Sequence, residues 1–349
     1  MVIVSPFQEQ ASHDEKRLHA PANHLQIRTN SNKTNLIDME ENKIICLEPN
    51  ICKEDPTHEV YKYIRTDSFN RMLQGRIDVT HNITHDTNVI PNIVHFTWYG
   101  SKRKNIFRFH HLISVLSAHR FIKPSVIYFW CESVPEGDYF KEARTKVPEL
   151  KLVYRLPPTE IYGQRVAVAE HVTDVVRLEA LMEYGGIYFD LDAVAVKSPD
   201  DLLHYETVMG WESPSGLCNG IILSSPWANF LKIWHREYYS FQDRFWSYHS
   251  VRLPAELTKR YPGLIHTETA SINRPNWSPQ ELAMLYKEGN IYDFKTKNYF
   301  VHLWFRQHGV DHNPRDIRTW NTTVGALFRH VYYGDDTIWP SMKDRHFKF

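Results

Sequence analysis

The most informative pattern of apolar and polar positions runs from Ala167 to Val196. Val172, Val175, Leu178 and Met182 recur at three- and four-residue steps and predict one apolar stripe of a helix. Asp174 and Arg177 lie off that stripe, three apart, so they share a second face. Gly185-Gly186 ends the helix, because glycine accepts the left-handed turn that closes one. Ile187-Tyr188-Phe189 follows as a short buried strand and stops at Asp190-Leu191-Asp192. Two carboxylates on alternate positions just past a strand are costly to bury without a cation. A hard divalent metal holding a phosphate offsets that cost.

The same reading places the other elements. Ile90 to Trp98 is a first strand, and Phe109, Leu112, Ile113 and Leu116 mark a helix within Phe107 to Phe121. Val126 to Trp130 and Leu152 to Tyr154 are further buried strands, so helices alternate with strands up to Asp192. That order predicts an α/β fold of the Rossmann-like, nucleotide-binding kind with a mostly parallel central sheet. No G-x-G-x-x-G follows the first strand, which argues against a dinucleotide cofactor. Val208 to Glu212 and Asn219 to Leu223 read as strands, Trp227 to Tyr239 as a helix, and Tyr299 to Trp304 as a late strand. An Asn219-Gly220 turn is an alternative to the second of these strands. Residues 241–298 are aromatic and proline-interrupted, as acceptor-binding segments and ordinary loops both are. Four segments are expected: a polar, disordered stem or tail over 1–55, a lead-in over 56–88, a catalytic domain over 89–330 and a tail over 331–349. The lead-in carries a modest helix from Pro56 to Leu73, on Val60, Ile64 and Met72.

Composition narrows the partners. Formal net charge is zero, so nothing points to nucleic acid. The 10 Trp, 19 Tyr and 18 Phe suit either an aromatic core or a surface that stacks sugars and bases. Of four cysteines, Cys46 and Cys52 are close enough for a small disulfide loop, whereas Cys131 and Cys218 sit in apolar runs and read as buried thiols. Sequons at Asn32, Asn82 and Asn321 mildly favour a secretory lumen. No apolar run is long enough to span a bilayer, and the opening residues lack the pattern of a signal peptide.

Asp174-x-x-Arg177 followed by Gly185-Gly186-x-Tyr188-x-Asp190-x-Asp192 resembles the DXD signature of glycosyltransferase family 32 and its relatives, which include the clostridial glucosylating toxins. Pro91-x-Ile93-x-His95-x-x-Trp98 resembles the opening of their catalytic domain. The resemblance covers 89–304 and implies a GT-A fold. It further implies a retaining, metal-dependent transfer of a hexose or N-acetylhexosamine from a nucleotide sugar, UDP-linked in preference to GDP-linked. The acceptor would be a glycan, glycolipid or glycoprotein. On this reading Asp192 ligates Mn²⁺ or Mg²⁺, and Asp190 holds the ribose and reaches the metal directly or through water. His302 meets the metal or the diphosphate, with His308 as its rival. Asp174 and Arg177 grip sugar hydroxyls, Tyr188 and Trp98 flank the nucleotide, Asn219 lies beneath the sugar, and Trp304 belongs to the substrate site. Relatives with a Golgi anchor imply a secretory-pathway location; lacking one, this chain reads as a truncated or a soluble, cytoplasmic form.

Two other classes compete. A haloacid-dehalogenase-type phosphohydrolase would use Asp190 as nucleophile and Gly334-Asp335-Asp336 as its last acidic motif. A binding module would keep the nucleotide-sugar site and transfer nothing.

Overall fold

The computed structural model describes residues 46–48, 51–52, 60–63, 65, 69–71, 89–100, 106–289 and 291–339. The chain divides into two units, 1–42 and 43–349, and every described residue lies in the second. The sequons at Asn32 and Asn82 fall outside the described residues.

One ten-stranded sheet organises the fold. Its centre is five parallel strands in the spatial order Val60–Tyr63, Leu150–Tyr154, Val126–Cys131, Ile93–Trp98 and Gly186–Phe189. The hairpin Gly216–Ser224 and Thr207–Ser213 extends it antiparallel, and His266–Glu268 closes that edge. The architecture is therefore α/β with a mostly parallel central sheet, as the alternation of elements predicts.

Period-two alternation explains the two cores. Val94, Phe96 and Trp98 join Ile127, Phe129, Ile187 and Phe189 on one face, under the helix Phe109–Ser117. Tyr128, Trp130, Tyr188 and Ile222 point to the other face, under the helix Ala169–Tyr184. Each fully buried side chain of this size stabilises the fold by roughly 1.5–3 kcal/mol. His95 is the fully buried polar residue of the first strand. Its Nε2 donates to the Gly185 carbonyl at 2.7 Å, and its Nδ1 accepts from the Trp130 indole at 3.1 Å, so one neutral tautomer satisfies both ends.

The Gly-Gly turn is sterically required. Gly185 and Gly186 both have positive φ, and a Cβ on Gly186 would lie 2.5 Å from the Ile93 carbonyl oxygen. The chain can therefore reverse directly from helix into the strand beside Ile93–Trp98.

Several boundaries differ from expectation. Val60–Tyr63 is a strand, not a helix; it pairs with Leu150–Tyr154, and such a cross-strand partner leaves no periodic mark in its own segment. Ile64 and Met72 lie outside the described residues. Cys46–Glu48 and Ile51–Cys52 form strands at the sheet edge, so a disordered stem does not run unbroken to 55. Their register sets Cys46 opposite Cys52. Asn219-Gly220 lies inside a strand, and the hairpin turns at Ser213–Gly216 instead. The late strand is Phe300–His302, which pairs only with Ala193–Ala195, apart from the main sheet. The helix Thr323–Tyr332 crosses the expected 330/331 boundary and buries Val331. Thr323 of the third sequon is buried within the start of that helix and donates to the Met284 carbonyl.

Candidate active site

The acidic pair lies beyond the carboxyl ends of the parallel strands, where open α/β sheets bind ligands. Asp190 leaves the strand with its N–H on the Gly220 carbonyl at 2.8 Å, and its own carbonyl caps a tight turn through Ala193 N at 2.8 Å. That turn projects Asp190 and Asp192 together. Ala193–Ala195 then pairs antiparallel with Phe300–His302 in a register that sets Ala193 opposite His302. A histidine far along the chain is thereby delivered to the acids, and one ligand atom from each of Asp190, Asp192 and His302 lies within 4.8 Å of the others.

Each member is held from behind. His302 Nε2 is 3.2 Å from Asp192 Oδ1, its Nδ1 is 3.5 Å from Cys218 Sγ, and its ring stacks on Trp304 at 3.9 Å. Asp192 Oδ2 accepts the Phe305 N–H at 3.0 Å. Burial alone would raise the Asp192 carboxyl; His302 and the Phe305 N–H outweigh it and hold the group well below the usual carboxylate range. Burial likewise opposes charge on His302, and Asp192 reverses that, so the imidazole sits well above its ordinary value. Asp190 Oδ1 accepts the Tyr188 hydroxyl at 2.6 Å, and the Thr97 hydroxyl lies 3.0 Å from the same tyrosine oxygen.

Asp174 and Arg177 form a layer beneath the acids. Arg177 Nη1 donates to the Asn219 carbonyl at 2.7 Å and lies 3.4 Å from Asp190 Oδ1. Its Nη2 donates to the Thr173 hydroxyl at 2.9 Å and lies 3.3 Å from Asp174 Oδ1. The guanidinium also stands 4.5 Å above the Tyr188 ring. Asn219 Nδ2 donates to Asp174 Oδ1 at 2.7 Å. Burial raises the Asp174 carboxyl above its ordinary value, against the pull of Arg177 and Asn219.

A cleft of ≈ 320 Å³ opens over this floor. Thr97, His110, His111 and Thr173 line it together with Phe305 and Arg306. His110 stacks on Phe305 at 3.7 Å, and burial pushes both histidines down, His110 to about 4, so they face the cleft as neutral imidazoles. A larger cavity of ≈ 610 Å³, lined by Arg120, Lys123, Lys146 and Tyr332, contains none of the acidic cluster.

The site residues expected from sequence thus separate into three groups. Asp190, Asp192 and His302 come together, while Asp174, Arg177, Tyr188, Asn219 and Trp304 are packed against them. Trp98 departs from expectation. It is largely buried, packed among Phe107, His111 and Phe129. Parity along the strand decides this: Thr97 points to the cleft, so its neighbour points into the core. His308 is not in the cluster; it stacks on Tyr286 at 3.8 Å and meets His312 at 3.4 Å. Asp336 pairs with Lys295 and Asp335 binds Thr337, so the second acidic motif of the phosphohydrolase reading does not meet Asp190. Cys131 and Cys218 are buried free thiols, as expected. Sequence reasoning missed His110, His111, Phe305, Cys218 and Glu212. The adjacent His110-His111 pair was the one visible signal. Burial pushes Glu212 up to about 7, while His302 and a hydrogen bond from Trp277 pull it the other way.

The donor set fits a divalent cation. Two carboxylates and an imidazole suit Mn²⁺ or Mg²⁺. Gly220 keeps the space between them open, since a Cβ there would lie 2.7 Å from Asp190 Oδ2 and 3.0 Å from His302 Cε1.

Comparison with known proteins agrees with this chemistry. Residues 113–209 match the family described as "Glycosyltransferase sugar-binding region containing DXD motif". "Glucan organizing enzyme 1" of Cryptococcus neoformans var. grubii is 33% identical over 238 residues, 62% of this chain and 63% of that protein. The chain thus spans under two thirds of that relative's length. "Inositol phosphoceramide mannosyltransferase 3" of Schizosaccharomyces pombe is 47% identical over 49 residues, 14% of each chain. Among solved structures, the PaToxG glycosyltransferase aligns with TM-score 0.37 at 14% identity, covering 50% of this chain and 70% of that one. Galactosyltransferase LgtC, solved with donor and acceptor sugar analogues, gives 0.36 at 14% identity, covering 71% and 97%. Likeness at those scores is too distant to carry an argument.

Proposed function

From a chain that carries the DXD-containing sugar-binding region of glycosyltransferases over residues 113–209, we propose a metal-dependent hexosyl or N-acetylhexosaminyl transfer from a nucleotide sugar to a glycan, glycolipid or glycoprotein. The observation that carries this reading is the convergence of Asp190, Asp192 and His302 at the strand ends, on the floor of a cleft. These three residues would hold Mn²⁺ or Mg²⁺. The cation would supply Lewis-acid neutralisation of the charge that builds on the departing diphosphate.

The chain's own residues do the rest. Tyr188 and Arg177 fix the orientation of Asp190, and the Phe305 N–H fixes that of Asp192. Thr97, His110 and His111 offer neutral polar contacts to the nucleoside side of the cleft. Asp174 Oδ1 is taken by Asn219 and Arg177; among the described residues no hydrogen bond engages its Oδ2. We assign that second oxygen to a sugar hydroxyl, with Arg177 and Asn219 holding the carboxylate in place. A UDP-sugar remains the favoured donor, retention the favoured outcome and the secretory pathway the favoured location. The mannosyltransferase among the relatives keeps mannose donors in the test panel.

The decisive experiment is a thermal-shift and hydrolysis screen of UDP- and GDP-sugars with and without Mn²⁺. One donor should stabilise the protein and turn over, and EDTA should abolish turnover. Asp174→Ala should bind free UDP or GDP normally yet transfer about 10- to 100-fold more slowly, the scale of one charged hydrogen bond. No donor response with either metal, or metal-independent turnover, overturns the reading.

A further inference from the structure

The strand Thr207–Ser213 carries Glu212, and a hydrogen bond from Asn276 to its backbone carbonyl sets it beside the segment that presents Trp277. Neither residue lines the cleft formed by Thr97, His110, Asp190 and Arg306. The segment that presents Trp277 is bolted down from several directions. Asn273 Nδ2 donates to the Trp211 carbonyl at 3.1 Å, and Asn276 Nδ2 donates to that of Glu212 at 2.8 Å. The Trp304 indole donates to the Pro275 carbonyl at 2.9 Å, and Asn298 Nδ2 donates to that of Arg274 at 2.6 Å.

Asn273, Pro275 and Asn276 are buried, yet Trp277, the next residue, is 41% exposed. A large ring held in the open by a rigid segment, beside a carboxyl group and a few residues from the wall of the metal-ligand cluster, is built to receive something. Rigid aromatic surface binds at low entropic cost. Its flat apolar face suits the C–H face of a pyranose.

We propose that Trp277 and Glu212 form the acceptor subsite, the indole stacking on an uncharged acceptor pyranose and the Glu212 carboxyl group accepting one of its hydroxyls. This assignment rests on the glycosyltransferase reading and gives it an acceptor class. An acidic group at this position disfavours a phosphate or carboxylate on the same sugar.

The test uses the full chain, the donor found above and a panel of neutral nitrophenyl pyranosides, alongside their 6-phosphates. Trp277→Ala should raise the acceptor KM by about tenfold, the scale of one aromatic contact, with kcat at saturating acceptor and the donor KM moving far less. Trp277→Phe should recover most of the loss, and Glu212→Gln should reduce the preference for neutral over phosphorylated acceptors. The melting temperature of Trp277→Ala should stay near that of the parent, because the ring is half in solvent. An unchanged acceptor KM in Trp277→Ala, with donor hydrolysis intact, overturns the subsite and leaves the enzyme. Absence of donor hydrolysis in the unaltered chain overturns both.

Discussion

Two clusters of buried charge share the helix Ala169–Tyr184, and they are built on opposite plans. The carboxylate of Glu179 is met by cations of this chain. Arg155 binds the carboxylate, Arg65 Nη2 donates to it at 2.9 Å, and His235 lies 3.7 Å away. The Glu179 carboxyl is held far below its ordinary range; burial opposes this, and Arg155 and the other partners outweigh burial. Around Asp190 and Asp192 the cations are fewer and the acids face a cleft, with Gly220 keeping the space between them clear. Both oxygens of the Glu179 carboxylate are engaged, so that acid is architectural. The second cluster has coordination left over, which is what the proposed metal site requires. Amount of buried charge does not separate the two; how fully each carboxylate is engaged by cations of the chain does.

The largest expected effects sharpen this contrast directly. Glu179→Ala strands the Arg155 guanidinium and should cost about 3–5 kcal/mol of unfolding free energy in urea titrations. Asp192→Asn keeps an acceptor for the Phe305 N–H, and His302 can shed its proton once the charge is gone, so the loss of stability should be smaller than that of Glu179→Ala. The same change should reduce nucleotide-sugar turnover by about a hundredfold or more and remove Mn²⁺ binding in calorimetry. Stability effects of equal size in the two variants would erase the distinction.

A smaller effect depends on pH. Burial pushes His95 down to about 4 from an ordinary 6.5, partly opposed by its bond to Gly185. The folded state therefore binds this proton less readily than the unfolded chain. The stability from neutral His95 is fully present above about pH 6.5 and is lost as pH falls through 4, on the order of 3 kcal/mol. His95→Gln can still meet both Gly185 and Trp130, and should flatten the decline of stability between pH 6.5 and 4. An unaltered acid profile would mean that His95 takes no part in it.

The smallest effect concerns Trp98. Trp98→Phe keeps an aromatic ring in the core and should cost about 1 kcal/mol, with no change in affinity for free UDP or GDP. A tenfold loss of nucleotide affinity would return Trp98 to the cleft.

What the sequence makes legible follows from the range of each signal. The helix from Ala169, its Gly-Gly end, the strand and the two acids lie in one continuous segment, and its periodicities predict the observed elements. His302 is legible by resemblance alone, because a register between Ala193–Ala195 and Phe300–His302 brings it to Asp192. Cys218 and Glu212 are invisible for the same reason: a hairpin and its neighbours bring them beside His302, and neither carries a local pattern. Trp98 shows the converse failure. A motif can mark the right strand while the pleat sends the expected side chain to the other face. The short strand Val60–Tyr63 is read as helix because four residues hold too little periodicity to choose between the two.

The ribbon of Ala193–Ala195 with Phe300–His302 has a consequence for how such a chain can diversify. It staples the two ends of a long excursion to the catalytic floor. Between Ser224, the last residue of the hairpin, and Phe300, exposed positions such as Trp246 and Tyr261 can change while the staple keeps Asp190, Asp192 and His302 in register. Chains built on this scaffold can vary that exposed surface without disturbing the acidic cluster.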